Sequence, residues 1–230
     1  MHILKKKIFM IVGFIVGVLT LGVFYTLNLN HNQSGVATGV RGDTPVEVIA
    51  ASYVKNYNED TILVGEAQNI FVAKVIKKTG DLDRNKTPHS QFEAEVVYNI
   101  KGDLRGVVTV DQTGGLKNGT LYVFAGDELL VPGSTYVFAT RHIEELSPLY
   151  FIGSHPAFKG VISEESNLSN EQLVELAKRN SRILELLVAY PNEVLGEGDV
   201  QQGYARNSFQ SLSDEQKQAV YDEIEALSKN

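Results

Sequence analysis

Three lysines, Lys5–Lys7, run directly into twenty-three consecutive uncharged residues, Ile8 to Asn30, and this run constrains the chain more than any other feature. Its apolar part, residues 8–27, is long enough for a helix crossing the hydrocarbon core, which takes roughly 20 residues. Cations are retained on the cytoplasmic side. With Lys5–Lys7 before the run and only Arg41, partly offset by Asp43, in residues 31–45, the N-terminus is expected inside and the remainder outside. A cleavable signal peptide has a shorter apolar region, about 7–15 residues, closed by a small-x-small site. The end of this run, Phe24-Tyr25-Thr26-Leu27-Asn28, has no such site, so an uncleaved anchor is expected. Residues 1–30 then form a cytoplasmic tip and transmembrane helix. Residues 31–45, rich in Asn, Gly, Ser and Thr, form a flexible tether. The tripeptide Arg41-Gly42-Asp43 lies within it, but three-residue matches arise readily by chance.

All 28 acidic residues lie beyond residue 30, against 18 of the 21 basic ones, so the outer portion carries a net charge of −10. Nucleic-acid binding depends on Lys and Arg neutralising phosphate, and this balance argues against it. It argues equally against adhesion to anionic headgroups. There is no cysteine, so packing alone must hold the domain. A bacterial envelope is the natural setting for an exported domain without disulfides.

From Val46 to about Ile162 the pattern is mostly β. Ile70–Val75 is a nearly continuous apolar run, as in a strand buried on both faces. Phe92, Ala94, Val96 and Tyr98 alternate with Glu93 and Glu95, which predicts a strand with one wet face. Val107–Val110, the Tyr122/Phe124 and Tyr136/Phe138 pairs and Leu149–Ile152 supply further short strands, separated by glycine-rich turns. The C-terminal third changes period. One helix is predicted over Asn170–Tyr190, ended by Pro191. Another opens at Ser213 with Gln216 three residues on, a capping box, and runs to about Leu227. The reading is α+β: a β-barrel domain over 46–163 and a helical extension over 164–230.

Three stretches carry a family likeness. Ala67–Val75, then Phe92–Tyr98 with Lys101-Gly102 behind it, then Ser134–Thr140, together resemble the netrin-type domain, the oligomer-binding (OB) barrel of tissue inhibitors of metalloproteinases. The resemblance spans residues of about 61–155 and implies a five-stranded Greek-key barrel flanked by helices. It does not bring the inhibitory chemistry, which uses a free N-terminal cysteine that this chain lacks.

Candidate sites are few. Asp81-x-Asp83-x-Asn85 has the 1-3-5 oxygen spacing of a calcium loop. An EF-hand would want Gly at 86 and Glu at 92, where the chain has Lys86 and Phe92, and a solvated hairpin tip is the plainer reading. His142 and His155 flank the last predicted strand, with Glu144 and Glu145 beside the first. Two histidines and a carboxylate could form an open zinc site, but no H-E-x-x-H motif orders them. Ser154-His155 invites comparison with hydrolases, yet no G-x-S-x-G accompanies it. Tyr122, Phe124, Tyr136, Phe138, Tyr150 and Phe151 could furnish a stacking face or fill the core. No catalytic set and no cofactor motif emerges. The expectation is a membrane-anchored, extracytoplasmic, non-catalytic binding module whose partner is a protein or an envelope polymer. A metal-dependent envelope hydrolase using His142 and His155, and a structural subunit docking through helix 170–190, are the alternatives.

Overall fold

The computed structural model describes residues 44–142, 149–196 and 207–229. The expected anchor, the tether up to residue 43 and the Arg41-Gly42-Asp43 motif lie outside the described residues. Among those described, no helix is long and apolar enough to cross a membrane.

Among the described residues, nine strands and four α-helices make up an α+β fold, mostly β with helices at the C-terminal end. The strands are β1 (Val46–Ile49), β2 (Asn69–Arg84), β3 (Thr87–Lys101), β4 (Val107–Thr113), β5 (Gly115–Lys117), β6 (Thr120–Phe124), β7 (Thr135–His142), β8 (Leu149–Ile152) and β9 (Lys159–Ser163). The helices are α1 (Asp60–Glu66), α2 (Asn170–Arg179), α3 (Ser181–Ala189) and α4 (Asp214–Leu227). The main sheet runs β2-β3-β4-β8-β7, and β7 pairs back onto β2, so the ladder returns to its start. Its neighbours are antiparallel except β4 and β8, which run parallel. β9 extends it beside β7. A separate three-stranded sheet has the order β1-β6-β5.

The expected burial pattern is realised in β2 and in the first half of β3. In β2, Ile70–Ala73 and Val75 are fully buried between β3 and β7, as a two-sided apolar run requires. Beyond Ile76 the strand alternates and projects as a hairpin with β3. Its tip, Asn85-Lys86, has φ of 50° and 70°, the two left-handed positions of a tight hairpin turn, in which asparagine is favoured. In β3, Phe92 and Ala94 point inward, while Glu93 faces out to Lys77 at 3.2 Å.

The helical region differs from the single helix expected over 170–190. Asn180 is extended (φ −84°, ψ 123°) and ends α2, and its side chain accepts from Arg182 N at 2.9 Å to open α3. An asparagine that competes for backbone N–H groups cuts the helix in two. α2 and α4 both open on capping boxes, Ser169/Gln172 and Ser213/Gln216. Helix α1, with Leu63 and Val64 fully buried, lies in a region that the sequence assigned to strands. One core takes in the strands together with Leu63, Ile183, Leu187 and Leu227, so the helices share the strands' interior and are more than an appendage.

α4 is also tied down by a polar contact: the Tyr98 hydroxyl donates to Glu223 Oε1 at 2.6 Å. Burial first, then the Glu223 carboxylate, pushes the Tyr98 phenol above its ordinary value. Burial and the Glu193 carboxylate do the same to Tyr190. A group raised in the folded state contributes stability that is full below its unfolded value, about 10 for tyrosine. That contribution is lost as pH climbs toward the folded value. Thermal melts between about pH 9 and pH 12 should fall steeply, and Tyr98→Phe should flatten the slope while lowering stability near neutrality. An unchanged slope in the variant would remove Tyr98 from the account.

Candidate functional site

A single row of residues crosses four strands on the outer face of the main sheet. Register places Gln91 of β3 beside Asp111 of β4, Asp111 beside Phe151 of β8, and Phe151 beside Arg141 of β7. The neighbouring row, Ser90, Gln112, Ile152 and Thr140, points inward and is buried throughout. Asp111 belongs to the outer row yet is only 1% exposed. His89 Nδ1 covers it at 2.6 Å, with Arg84 at 3.6 Å and Gln91 Nε2 at 3.4 Å. Arg84 also lies over the Phe151 ring, 4.4 Å from its centroid. A phenyl ring beneath a guanidinium that also serves a carboxylate is held in one orientation, and cation–π contact adds to that hold.

Phe151 and Arg141 lead into a cleft of about 210 Å³. Its floor is Glu66, at the end of α1, 4% exposed and ion-paired to both Lys55 and Arg141. Arg141 Nε additionally donates to the Glu66 carbonyl at 3.1 Å. The walls are aromatic. Segment 50–59 has no regular secondary structure and lays Tyr53 and Tyr57 against the turn that follows β8. The Tyr53 hydroxyl donates to Ser154 O at 2.9 Å, and burial raises its pKa, with a further push from Asp127. His155 sits 4.6 Å from the Tyr53 ring and 5.5 Å from Tyr57, which meets Phe158 edge-on at 5.0 Å. Gly153 is needed there, because a Cβ would stand 2.7 Å from the Phe158 ring. Asp127, 1% exposed, pairs with Lys159 and accepts from Gln112 Nε2 at 3.3 Å. Its pKa is raised by burial against the opposing pull of Lys159, Gln112 and His155.

The residues singled out from sequence fall in different places. Asp81 Oδ1 accepts from Ser90 Oγ at 2.7 Å and meets Lys78 Nζ at 2.6 Å, Asp83 meets Lys117 at 2.9 Å, and Asn85 occupies the hairpin turn. Their oxygens serve separate partners along one extended hairpin and do not converge as a calcium loop does. His142 lies opposite Tyr150 and stacks on it at 5.0 Å, while His155 lies three residues past Ile152, which pairs with Thr140. The two histidines therefore diverge toward opposite ends of β8, and Glu144 and Glu145 lie outside the described residues. His155 Nδ1 accepts from Ala157 N at 3.1 Å, which puts the proton of the neutral ring on Nε2. A zinc ligand needs that nitrogen bare. No group of three or more His, Cys, Asp or Glu suited to a metal occurs among the described residues. Of the six aromatics proposed as a stacking face, Tyr136 and Phe138 are core, Tyr122 and Phe124 belong to the smaller sheet, and only Phe151 reaches the cleft. Sequence reading missed Tyr53, Tyr57, Glu66 and Arg141. The spacing Tyr53-x-x-x-Tyr57 was visible, but nothing local to it indicates the turn some 100 residues away on which it packs.

No protein-family model matches the chain, and no curated protein matches it.

Proposed function

We propose that this chain is a membrane-anchored module of the cell exterior, with an oligomer-binding type of barrel that grips a protein or an envelope polymer without transforming it. The closed order of the five main strands, with its parallel pair and flanking helices, supports the barrel reading. The observation that carries the function is the outer row Gln91–Asp111–Phe151–Arg141 opening into the aromatic cleft. Sites that enclose a whole small molecule run to about 300–1,000 Å³. A cleft of about 210 Å³ takes one side chain or one ring of something larger, with the row beside it as the track for the rest. The carboxylates of the site are each paired to a cation, Glu66 to Lys55 and Arg141, Asp111 to Arg84, an arrangement suited to holding shape. Anchoring would confine the module to a thin layer and raise its effective concentration for envelope partners.

The test is crosslinking and co-purification of full-length protein from its native membrane, wild type beside Phe151→Ala. A stoichiometric protein or polymer should accompany the wild type. Recovery should fall roughly tenfold or more in the variant, a loss typical of truncating a buried aromatic anchor, with its circular dichroism unchanged. Recovery of the chain alone, or equal recovery with both forms, would overturn the reading.

A further inference from the structure

The three-stranded sheet β1-β6-β5 has a free edge, and it is β1. Pro45 O accepts from Leu121 N at 2.8 Å and Ile49 O accepts from Ala125 N at 2.9 Å, so positions 45, 47 and 49 turn their backbone groups toward β6. Backbone groups alternate sides along a strand. The N–H and C=O groups of Val46 and Val48 therefore point to the side where no strand lies among the described residues. The same two valines are 57% and 63% exposed, and Leu116, in the row of Val46 across Leu121, is 42% exposed. Edges of this kind are usually blunted by lysine, by proline within the strand or by a bulge. Here the open side offers backbone donors and acceptors flanked by apolar side chains.

We infer that β1 is a docking edge: an extended segment of a different protein, with β-branched residues on either side of a lysine or arginine, adds alongside it and makes a fourth strand. The charge of Glu47 selects this occupant. Glu47 lies on the opposite face from the valines, in a row with Tyr122 and Gly115 that contains no cation. A second copy pairing antiparallel in full register would set Val46 against Val48 and Glu47 against Glu47, and like charges directly opposite are destabilising. A foreign strand with a basic residue at that position neutralises Glu47 while its apolar residues cover Val46 and Val48. Strand addition of this type draws affinity from main-chain bonds and specificity from alternate side chains. The edge does not depend on the cleft, so either site can fail without the other.

Amide hydrogen exchange on the full chain in detergent reads the edge directly. A short valine–lysine–valine peptide at millimolar concentration should slow exchange at Val46 and Val48 by roughly tenfold, and a valine–glutamate–valine peptide should not. Val48→Pro should abolish the effect, because it removes an outward N–H that β6 does not use, and edge strands tolerate proline in that orientation. Equal protection by both peptides, or by neither, overturns the proposal. Protection that rises with protein concentration and no peptide assigns the edge to a second copy and overturns it too.

Discussion

Replacing Lys101 with alanine should lower the stability of the domain by about 3–5 kcal/mol, the usual cost of leaving one partner of a buried ion pair alone. Lys101 shows no exposed side chain and Glu193 shows 2%. The ammonium donates to Glu193 Oε2 at 2.5 Å and to Val64 O at 2.8 Å, and lies 5.5 Å from the centre of the Tyr190 ring. Burial lowers the pKa of Lys101, and the Glu193 carboxylate works against that shift. Glu193 Oε1 in turn accepts from Phe209 N at 2.5 Å. One lysine thus joins the end of β3, the carbonyl of α1 and the chain on both sides of residues 197–206. Small domains are stable by about 5–15 kcal/mol in total, so the loss is a large fraction of the whole. Neutralising both partners while keeping an acceptor for Phe209, as in Lys101→Met with Glu193→Gln, should restore more than half of it. Urea denaturation of the three forms is the measurement. A Lys101→Ala midpoint close to wild type would mean that water already reaches the pair.

Gly65→Ala should cost about 1–3 kcal/mol, the range for overpacking, even though alanine is the better helix former by about 1 kcal/mol. A Cβ at Gly65 would land on the carbonyl of Val194. That contact is with backbone, and Val194 N is itself bonded to Thr61 O at 2.9 Å, so no flexible side chain can swing aside. The segment it would displace is the one that carries Glu193. The double variant Gly65→Ala/Lys101→Ala should therefore lose less than the sum of the single losses, since both push the same strap off α1. Strict additivity in the double-mutant cycle would show that the two contacts are independent.

What could be read from the sequence was what repeats with a local period. The two-sided run Ile70–Val75, the alternation that begins at Phe92 and the capping box at Ser213 each write their structure into a few neighbouring residues. The run and the box are found, and the alternation holds as far as Glu95 before Val96, Val97 and Tyr98 all become half-buried. The seven residues of α1 are too few to display a helical period. Asn180 sits between two apolar helical patterns that continue one into the other, and a single asparagine inside such a pattern does not by itself mark a cap. Gly102, with φ of 89°, turns the chain directly after Lys101. Nothing in the dipeptide says that the lysine would be buried against a glutamate 92 positions on. The cleft is illegible for the same reason: Tyr53 meets Ser154 across 101 positions, and long-range pairing leaves no trace in local composition.

The late position of α4 has a consequence for how the chain is made. Asn207 Nδ2 donates to Gln68 O at 3.0 Å across 139 positions, Tyr98 reaches Glu223 across 125, and Leu227 joins the core that Ile70 begins. A ribosome adding about 5–20 residues per second takes roughly 8–30 s to go from residue 75 to residue 227. Throughout that interval the apolar run of β2 lacks part of its cover, and contacts of such separation are slow to close. A chain that stops short of α4 therefore leaves that run partly uncovered, and a truncation before Ser213 should yield a product that aggregates.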